Sequence, residues 1–309
     1  MKIVVTGGAG FIGSHIARRL VNDGHQVIIV DNLSEGKVEN FADIKTKVQF
    51  FKKDILNLSS LNNIFKDVNY VFHEAALRSV LRSVENPLET NKVNIQGTLN
   101  VLLAARDNKV KRVIFASSSS IYGDQTQLKL SENLKPNPLS PYGLSKLAGE
   151  IYLKQFAQLY GLETISLRYF NVFGPYQDPK NEYANVIPIF ITKVLKDKQP
   201  IIHWDGEQSR DFTYIDNVVD ANILAMKIKK TKGEAINICD GKTFSINQMF
   251  SLLNQLLGKK IKASYGPCRP GDPRCTLGDP NLAKNLLGYK TKIPFKQGLK
   301  HTIDWFKKY

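Results

Sequence analysis

KIVVTGGAGFIGSH, residues 2–15, is the stretch whose reading decides the fold. Lys2–Val5 is a short apolar strand that runs straight into glycines, after which Ile12, Ile16 and Leu20 recur at helical spacing. Strand, glycine turn and helix in that order make a phosphate-binding unit. Glycines let the backbone approach a pyrophosphate closely, and the helix N-terminus attracts its charge. Two registers are open, GxGxxG through Gly8, Gly10 and Gly13 or GxxGxxG through Gly7, Gly10 and Gly13. The next strand, Val27–Val30, ends in Asp31, 18 residues after Gly13. A carboxylate there can bind both ribose hydroxyls of an adenosine and repels a 2′-phosphate, so the expected cofactor is NAD and not NADP.

Outward from this unit the pattern repeats. Strands are expected at Val48–Phe51, Tyr70–His73, Arg112–Ala116 and Thr164–Arg168, with a long helix from about Glu89 to Arg106. Such alternation predicts an α/β fold with a doubly wound parallel Rossmann sheet, which binds ligands at the carboxyl ends of its strands. Asp54-Ile55, Glu74-Ala75-Ala76, Ser117–Ser120 and Tyr169-Phe170-Asn171 all fall at such ends. After residue 170 loop signals become dense, helices are expected near 186–197, 216–228, 246–257 and 296–307, and Ala235–Cys239 reads as one more buried strand. The expected division is an NAD-binding domain over 1–170 with a return segment near 213–240. A smaller C-terminal substrate domain would comprise 171–212 and 241–309.

Composition narrows the class. The net charge of +15 comes from lysines scattered along the chain, with no basic helix among aromatic residues, so it reads as a solvated surface and not as a nucleic-acid site. Cys239, Cys268 and Cys275 form no CxxC pair and no zinc spacing, which argues against a disulfide framework or a metal site. No apolar run approaches the roughly 18 residues of a membrane span, and the chain opens on a strand with no leader, so a cytoplasmic protein without a membrane partner is expected.

The second chemical motif is SPYGLSK, residues 140–146. Ser140 and Pro141 form a helix start, which puts Tyr142 in the first turn and Lys146 one turn later on the same face. A free phenol has a pKa of about 10 and is a poor base at neutral pH. An ammonium group one turn away and the positive helix end would both favour the phenolate.

TGGAGFIGSH, DNLSEGK, HEAALRSV, VNIQGTLNVL, SSSSIYG, PYGLSK, RYFNVFGP, GEQSRDFTYID and RPGD, taken together, resemble the extended short-chain dehydrogenase/reductases. Within them the chain is most similar to UDP-hexose 4-epimerases, in the same order from residue 1 to about 290. The resemblance implies that Gly7, Gly10, Phe11, Ile12 and Gly13 cradle the cofactor, that Asp31 and Asn32 hold its ribose, and that Asp54 and Ile55 hold its adenine. Ala75, Ala76, Asn94, Lys146 and Tyr169 would lie along the nicotinamide half. Ser118 and Tyr142 would bond the sugar O4, with Ser117 and Ser119 as neighbouring registers for Ser118. Asn171, Asn185, Arg210, Arg269 and Asp272 would hold the UDP group, and Arg78 would reach its phosphates. Thr276, three residues before Asp279, would line the space at the sugar's C2 substituent, where a small residue leaves room for an N-acetyl group.

The implied reaction is epimerisation at C4 of a UDP-hexose (UDP-Glc/UDP-Gal, and UDP-GlcNAc/UDP-GalNAc) through a 4-keto sugar. The implied assembly is a homodimer joined through helices near 90–107 and 144–159. UDP-glucuronate 4-epimerisation is an alternative. Dehydratases and decarboxylases on this scaffold generally carry an acid two residues before the tyrosine of the SSSSIYG motif. Here that position is Ser120, after Ser119, and an alcohol cannot do a carboxylate's proton transfers at C5 or C6. Two departures stand out: Trp204 occurs where the family often has Gly, and Gly278 where Ala is common.

Overall fold

The computed structural model describes residues 1–179, 185–268 and 273–308. Arg269 and Asp272, both expected in the UDP site, lie outside the described residues. The strands in chain order are β1 (Lys2–Thr6), β2 (Gln26–Asp31), β3 (Val48–Lys52), β4 (Tyr70–His73), β5 (Arg112–Ser118) and β6 (Glu163–Tyr169). There follow β7 (Val172–Phe173), β8 (Ile201–His203), β9 (Ser209–Arg210), β10 (Thr213–Tyr214) and β11 (Glu234–Ile238). The last three are β12 (Phe244–Ser245), β13 (Ser264–Gly266) and β14 (Cys275–Thr276). The helices are α1 (Phe11–Asn22), α2 (Leu58–Ile64), α3 (Val80–Glu85), α4 (Pro87–Asn91), α5 (Gly97–Asp107) and α6 (Pro141–Tyr160). Then come α7 (Val186–Leu195), α8 (Ile215–Lys227), α9 (Ile246–Leu257), α10 (Asn281–Leu287) and α11 (Phe295–Phe306).

Seven strands form one sheet in the order β11-β6-β5-β4-β1-β2-β3, and every pairing in it is parallel. The runs Ile3–Val5 and Val27–Val30 are buried at consecutive positions, because helices cover both faces and neither face of a strand meets water. One layer packs α2, α5 and α6 residues such as Leu61, Val101 and Leu153 against Val4, Val71 and Val113. The other packs Ile16 and Leu20 of α1 with Val218 of α8 against Ile3 and Ile29. Chain direction reverses its winding between β1 and β4, which is where such sheets open a ligand crevice.

The helix expected over 89–106 forms as α4, one π-helical turn at Lys92–Gln96, and α5. The π turn has a visible consequence. Asn94 within it accepts from Leu77 N at 2.8 Å and donates to Leu77 O at 3.0 Å and to Ser145 Oγ at 3.0 Å, joining the loop after β4 to α6. Past β6 the pairings are short: β10 with β7, β12-β9-β14, and β13 with β8. They stand over the carboxyl end of the sheet and bring Arg210 into register with Thr276.

Candidate active site

A cavity of about 810 Å³ runs along the carboxyl ends of the sheet, from Asp31 and Asp54 past the glycine turn to Ser118, Tyr142, Arg210 and Thr276. Its floor is set by the glycines. Gly7 has φ +68°, and a Cβ there would lie 2.6 Å from Ala75 N; a Cβ on Gly13 would lie 2.3 Å from Gly7 O. Gly8 instead faces Ile29 beneath the turn, so Gly7, Gly10 and Gly13 are the register that meets the cavity. No side chain caps α1 at Gly10, and Phe11, Ile12 and Gly13 of its first turn line the cavity. Uncapped N–H groups at a helix start suit a pyrophosphate.

Asp31 ends β2 nine-tenths buried, its carboxylate accepting from Ala9 N at 3.0 Å and Leu33 N at 2.8 Å. Burial pushes its pKa up and the two backbone bonds pull it back. Asn32 Nδ2 donates to Asp54 Oδ2 at 2.9 Å, closing the adenosine end, where Ile55 is buried beside them. This cradle and its acid fit the adenosine diphosphate half of NAD.

Direction then follows from topology. With the ribose acid on β2 and the pyrophosphate turn on β1, the other half of a dinucleotide must extend over β4, β5 and β6. There the cavity is lined by Glu74, Ala75 and Ala76 after β4, Ser118 at the end of β5, Tyr169 at the end of β6, and Lys146 of α6. Asn94 is absent from the lining. It acts through the loop it clamps, as described above.

Tyr142 stands where its helix start was expected. Ser140 Oγ accepts from Gly143 N at 3.1 Å and Pro141 is the first helical residue. Ser117 and Ser118 diverge, as consecutive strand residues must. Ser117 Oγ donates to Glu150 Oε1 at 2.5 Å, whereas Ser118 Oγ accepts from Ser120 N and donates to Ser120 Oγ at 3.1 Å each, and lines the cavity with Tyr142. The expected lowering of the phenol by Lys146 is not what the chain's own groups produce. Burial pushes the Tyr142 pKa up, against the nearby Ser118 hydroxyl and the charge of Arg78, while Glu74 adds to the rise. Lys146 Nζ is 5.9 Å from the Tyr142 ring centre, donates to Ala116 O at 2.8 Å, and is itself pulled down to about 8 by burial. Its buried amine sits below α6's capped start, held by a strand carbonyl and the Phe115 ring and not by the phenol.

At the far end Asn171, Asn185, Arg210 and Thr276 all line the cavity, and Asn171 Nδ2 donates to Thr276 Oγ1 at 3.2 Å. Trp204 adopts φ +65°, the left-handed backbone that glycine takes without strain, which accounts for the family's preference there. Its ring lies off the cavity beneath the Arg274 guanidinium, 4.5 Å from the ring centre. A Cβ on Gly278 would lie 2.6 Å from Cys239 Sγ, so the second departure matches the bulk of its neighbour.

The sequence reading passed over Asp211 and named Glu74 only as part of a strand-end cluster, with no role of its own. Asp211 accepts from Asp240 N and Gly241 N at 2.9 Å each and from Gly278 N at 3.2 Å, which fixes the Thr276 strand over the sheet. Glu74 accepts from Tyr169 Oη at 3.0 Å and faces the cavity. Its signal was the acid in HEAA directly after an apolar strand.

The NAD dependent epimerase/dehydratase family matches residues 3–239. A putative UDP-glucose 4-epimerase of Methanocaldococcus jannaschii is 44% identical, over 99% of this chain and 98% of its own. The structure of Thermotoga maritima UDP-glucose 4-epimerase with UDP-glucose superposes with a TM-score of 0.96 at 41% identity, covering 100% of this chain and 99% of that one. That of Methanobrevibacter ruminantium UDP-N-acetylglucosamine 4-epimerase with UDP-N-acetylmuramic acid gives 0.95 at 42% identity, covering 99% and 98%. By sequence, fold and cofactor cradle, this chain belongs to the NAD dependent epimerase/dehydratase family, among the UDP-sugar 4-epimerases, which are NAD-dependent isomerases.

Proposed function

We propose that the chain interconverts the C4 epimers of UDP-hexoses, taking UDP-Glc and UDP-Gal and also UDP-GlcNAc and UDP-GalNAc. The observation that carries this is the facing of Ser118 and Tyr142 midway along a cavity that begins at a dinucleotide cradle and ends at Asn171, Arg210 and Thr276. NAD, when bound, supplies the acceptor and donor of the C4 hydride. Tyr142 would take and return the O4 proton, with Ser118 bonded to the same oxygen. Ala116 O holds Lys146 beneath this pair, close enough to Glu74 for their charges to interact. No carboxylate stands among Ser117–Ser120, and Ser118 Oγ donates to Ser120 Oγ at 3.1 Å, which supports epimerisation over dehydration or decarboxylation.

Acceptance of N-acetylated sugars rests on Thr276. It is a small residue lining the cavity, and neither Cys275 nor Trp204 lines it to fill the space. In this reading residues 1–170 with a return near 213–240 hold NAD, and 171–212 with 241–309 hold the nucleotide sugar. A homodimer through α5 and α6 is part of the proposal, supported by exposed Leu144, Ile151 and Leu159 on α6, and sedimentation would test it. Among the described residues no helix is long and apolar enough to cross a membrane.

The test is mass-resolved product analysis with UDP-Glc, UDP-GlcNAc and UDP-glucuronate. Tyr142→Phe should lower turnover by about 10²–10⁴-fold, the usual share of a general base, with UDP affinity retained. Normal turnover in that variant would end the assignment.

A further inference from the structure

The mechanism above leaves one part-buried acid at the reaction centre without a part. Glu74 follows β4 directly, between the glycine turn and the Ser118–Tyr142 pair. A Cβ on Gly7 would meet the Glu74–Ala75 peptide within 2.9 Å. Its carboxyl group is held in place. Asn222 Nδ2 of α8 donates to Tyr169 Oη at 2.8 Å, and that phenol donates onward to Glu74 Oε1 at 3.0 Å. Asn222 Oδ1, at 3.2 Å, is the phenol's other acceptor. A two-step brace of this kind, running from a helix through a strand end to a carboxyl in the cavity, exceeds what a solvated acid requires. Strand order sets the nicotinamide half over β4 to β6, as argued above, where Glu74 follows β4 and Tyr169 ends β6.

We propose that Glu74 is a positioning charge that sets the balance between the oxidised and reduced forms of the bound cofactor, with Tyr169 and Asn222 orienting it. The physical basis is a difference of one charge. The oxidised nicotinamide ring is a cation and the reduced ring is neutral, so a nearby carboxylate in a poorly hydrated site favours the oxidised form. An epimerase needs that balance, since the hydride taken from C4 must be returned to the same carbon. Burial raises the Glu74 pKa to about 7, against the Tyr169 hydrogen bond and the Lys146 charge, so the acid is largely ionised at about pH 8. Tyr142 and Lys146 on α6 and Tyr169 on β6 face it, and Arg78 stands beyond Tyr142.

The inference rests on NAD binding in this cavity. Its test is the ratio of dissociation constants for NADH and NAD⁺, measured on the full chain at about pH 8 by nicotinamide fluorescence and competition. Glu74→Gln keeps an acceptor for Tyr169 and removes the charge. It should shift the ratio toward NADH by about tenfold or more, about 1.4 kcal/mol. Tyr169→Phe, which loosens the carboxylate without deleting it, should shift the ratio the same way by less. Because the readout is a ratio, a general loss of cofactor affinity cancels. An unchanged ratio in Glu74→Gln would overturn this inference alone, whereas a native chain that binds neither form would overturn the cofactor assignment with it.

Discussion

Replacing Arg168 by methionine removes the cation at the centre of a buried network under the active site. Arg168 Nε and Nη2 donate to Glu150 Oε1 at 2.9 Å and Oε2 at 2.7 Å, and Nη1 donates to Tyr122 Oη at 2.8 Å. The two charged side chains are only 6% and 7% exposed, so water cannot replace a lost partner. Arg168→Met leaves the Glu150 carboxylate with Ser117 Oγ as its remaining donor, and an orphaned buried charge costs about 3–5 kcal/mol. Glu150→Leu orphans the guanidinium and should cost a similar amount. The double variant orphans neither charge. Tyr122 Oη still donates to Asn237 Oδ1 at 2.7 Å, and Ser117 is the one hydroxyl left without its acceptor, at about 1–3 kcal/mol. The double variant should therefore be more stable than either single one, with a coupling of several kcal/mol. Denaturant unfolding of all four proteins, with midpoints and slopes fitted together, measures this. If the double variant loses the sum of the two single losses, the network is not held by charge pairing and the reasoning fails.

Thr276→Tyr should lower turnover of UDP-GlcNAc by about 100-fold or more while UDP-Gal stays within about tenfold, because an overfilled pocket excludes the larger ligand first. Parallel assays on the two sugars measure it, and equal losses would mean that the change acts through the Asn171 contact to Thr276 Oγ1. Stability should also fall in acid. His73 bonds Thr6 Oγ1 at 2.8 Å and Thr98 Oγ1 at 3.0 Å, and burial lowers its pKa to about 3. The folded state thus prefers the neutral ring, so its contribution is complete above the unfolded pKa of about 6.5 and is lost as pH falls through the folded value. Unfolding free energy should drop by about 1.4 kcal/mol per pH unit from this site between pH 6 and 4, and His73→Gln should remove that part of the slope.

The frame of the molecule was legible because its signals are local. Tyr70–His73 is both the expected and the observed β4, and α9 spans the expected 246–257, since a strand buried on two faces and an amphipathic helix each write their period into adjacent residues. The cradle was legible for the same reason: Gly7, Gly10, Gly13 and Asp31 act through backbone room and strand position. The π turn at Lys92–Gln96 was not, because its cause is distant. The turn accompanies the reach of Asn94 to Leu77 and Ser145, neither of which neighbours it in sequence. Strands of two or three residues such as β9, β12 and β14 are too short to show a period at all.

Charge was the least legible part, and the active site shows why. From the spacing of Tyr142 and Lys146 alone, the ammonium acts on the phenol through one helical turn. In the folded chain the effect that decides both groups is burial, which raises the phenol and lowers the amine, and burial is a property of everything packed over them. Strands β4, β5 and β6 bring Glu74, Ala116 and Tyr169 to the same cavity from positions far apart in the chain, and the pairing of Ser118 with Tyr169 fixes their height. One of these, Ala116, offers only its carbonyl, a group every residue has, yet it holds the Lys146 amine. A motif can name the residue that donates a proton, while the acceptor that aims it follows from strand register.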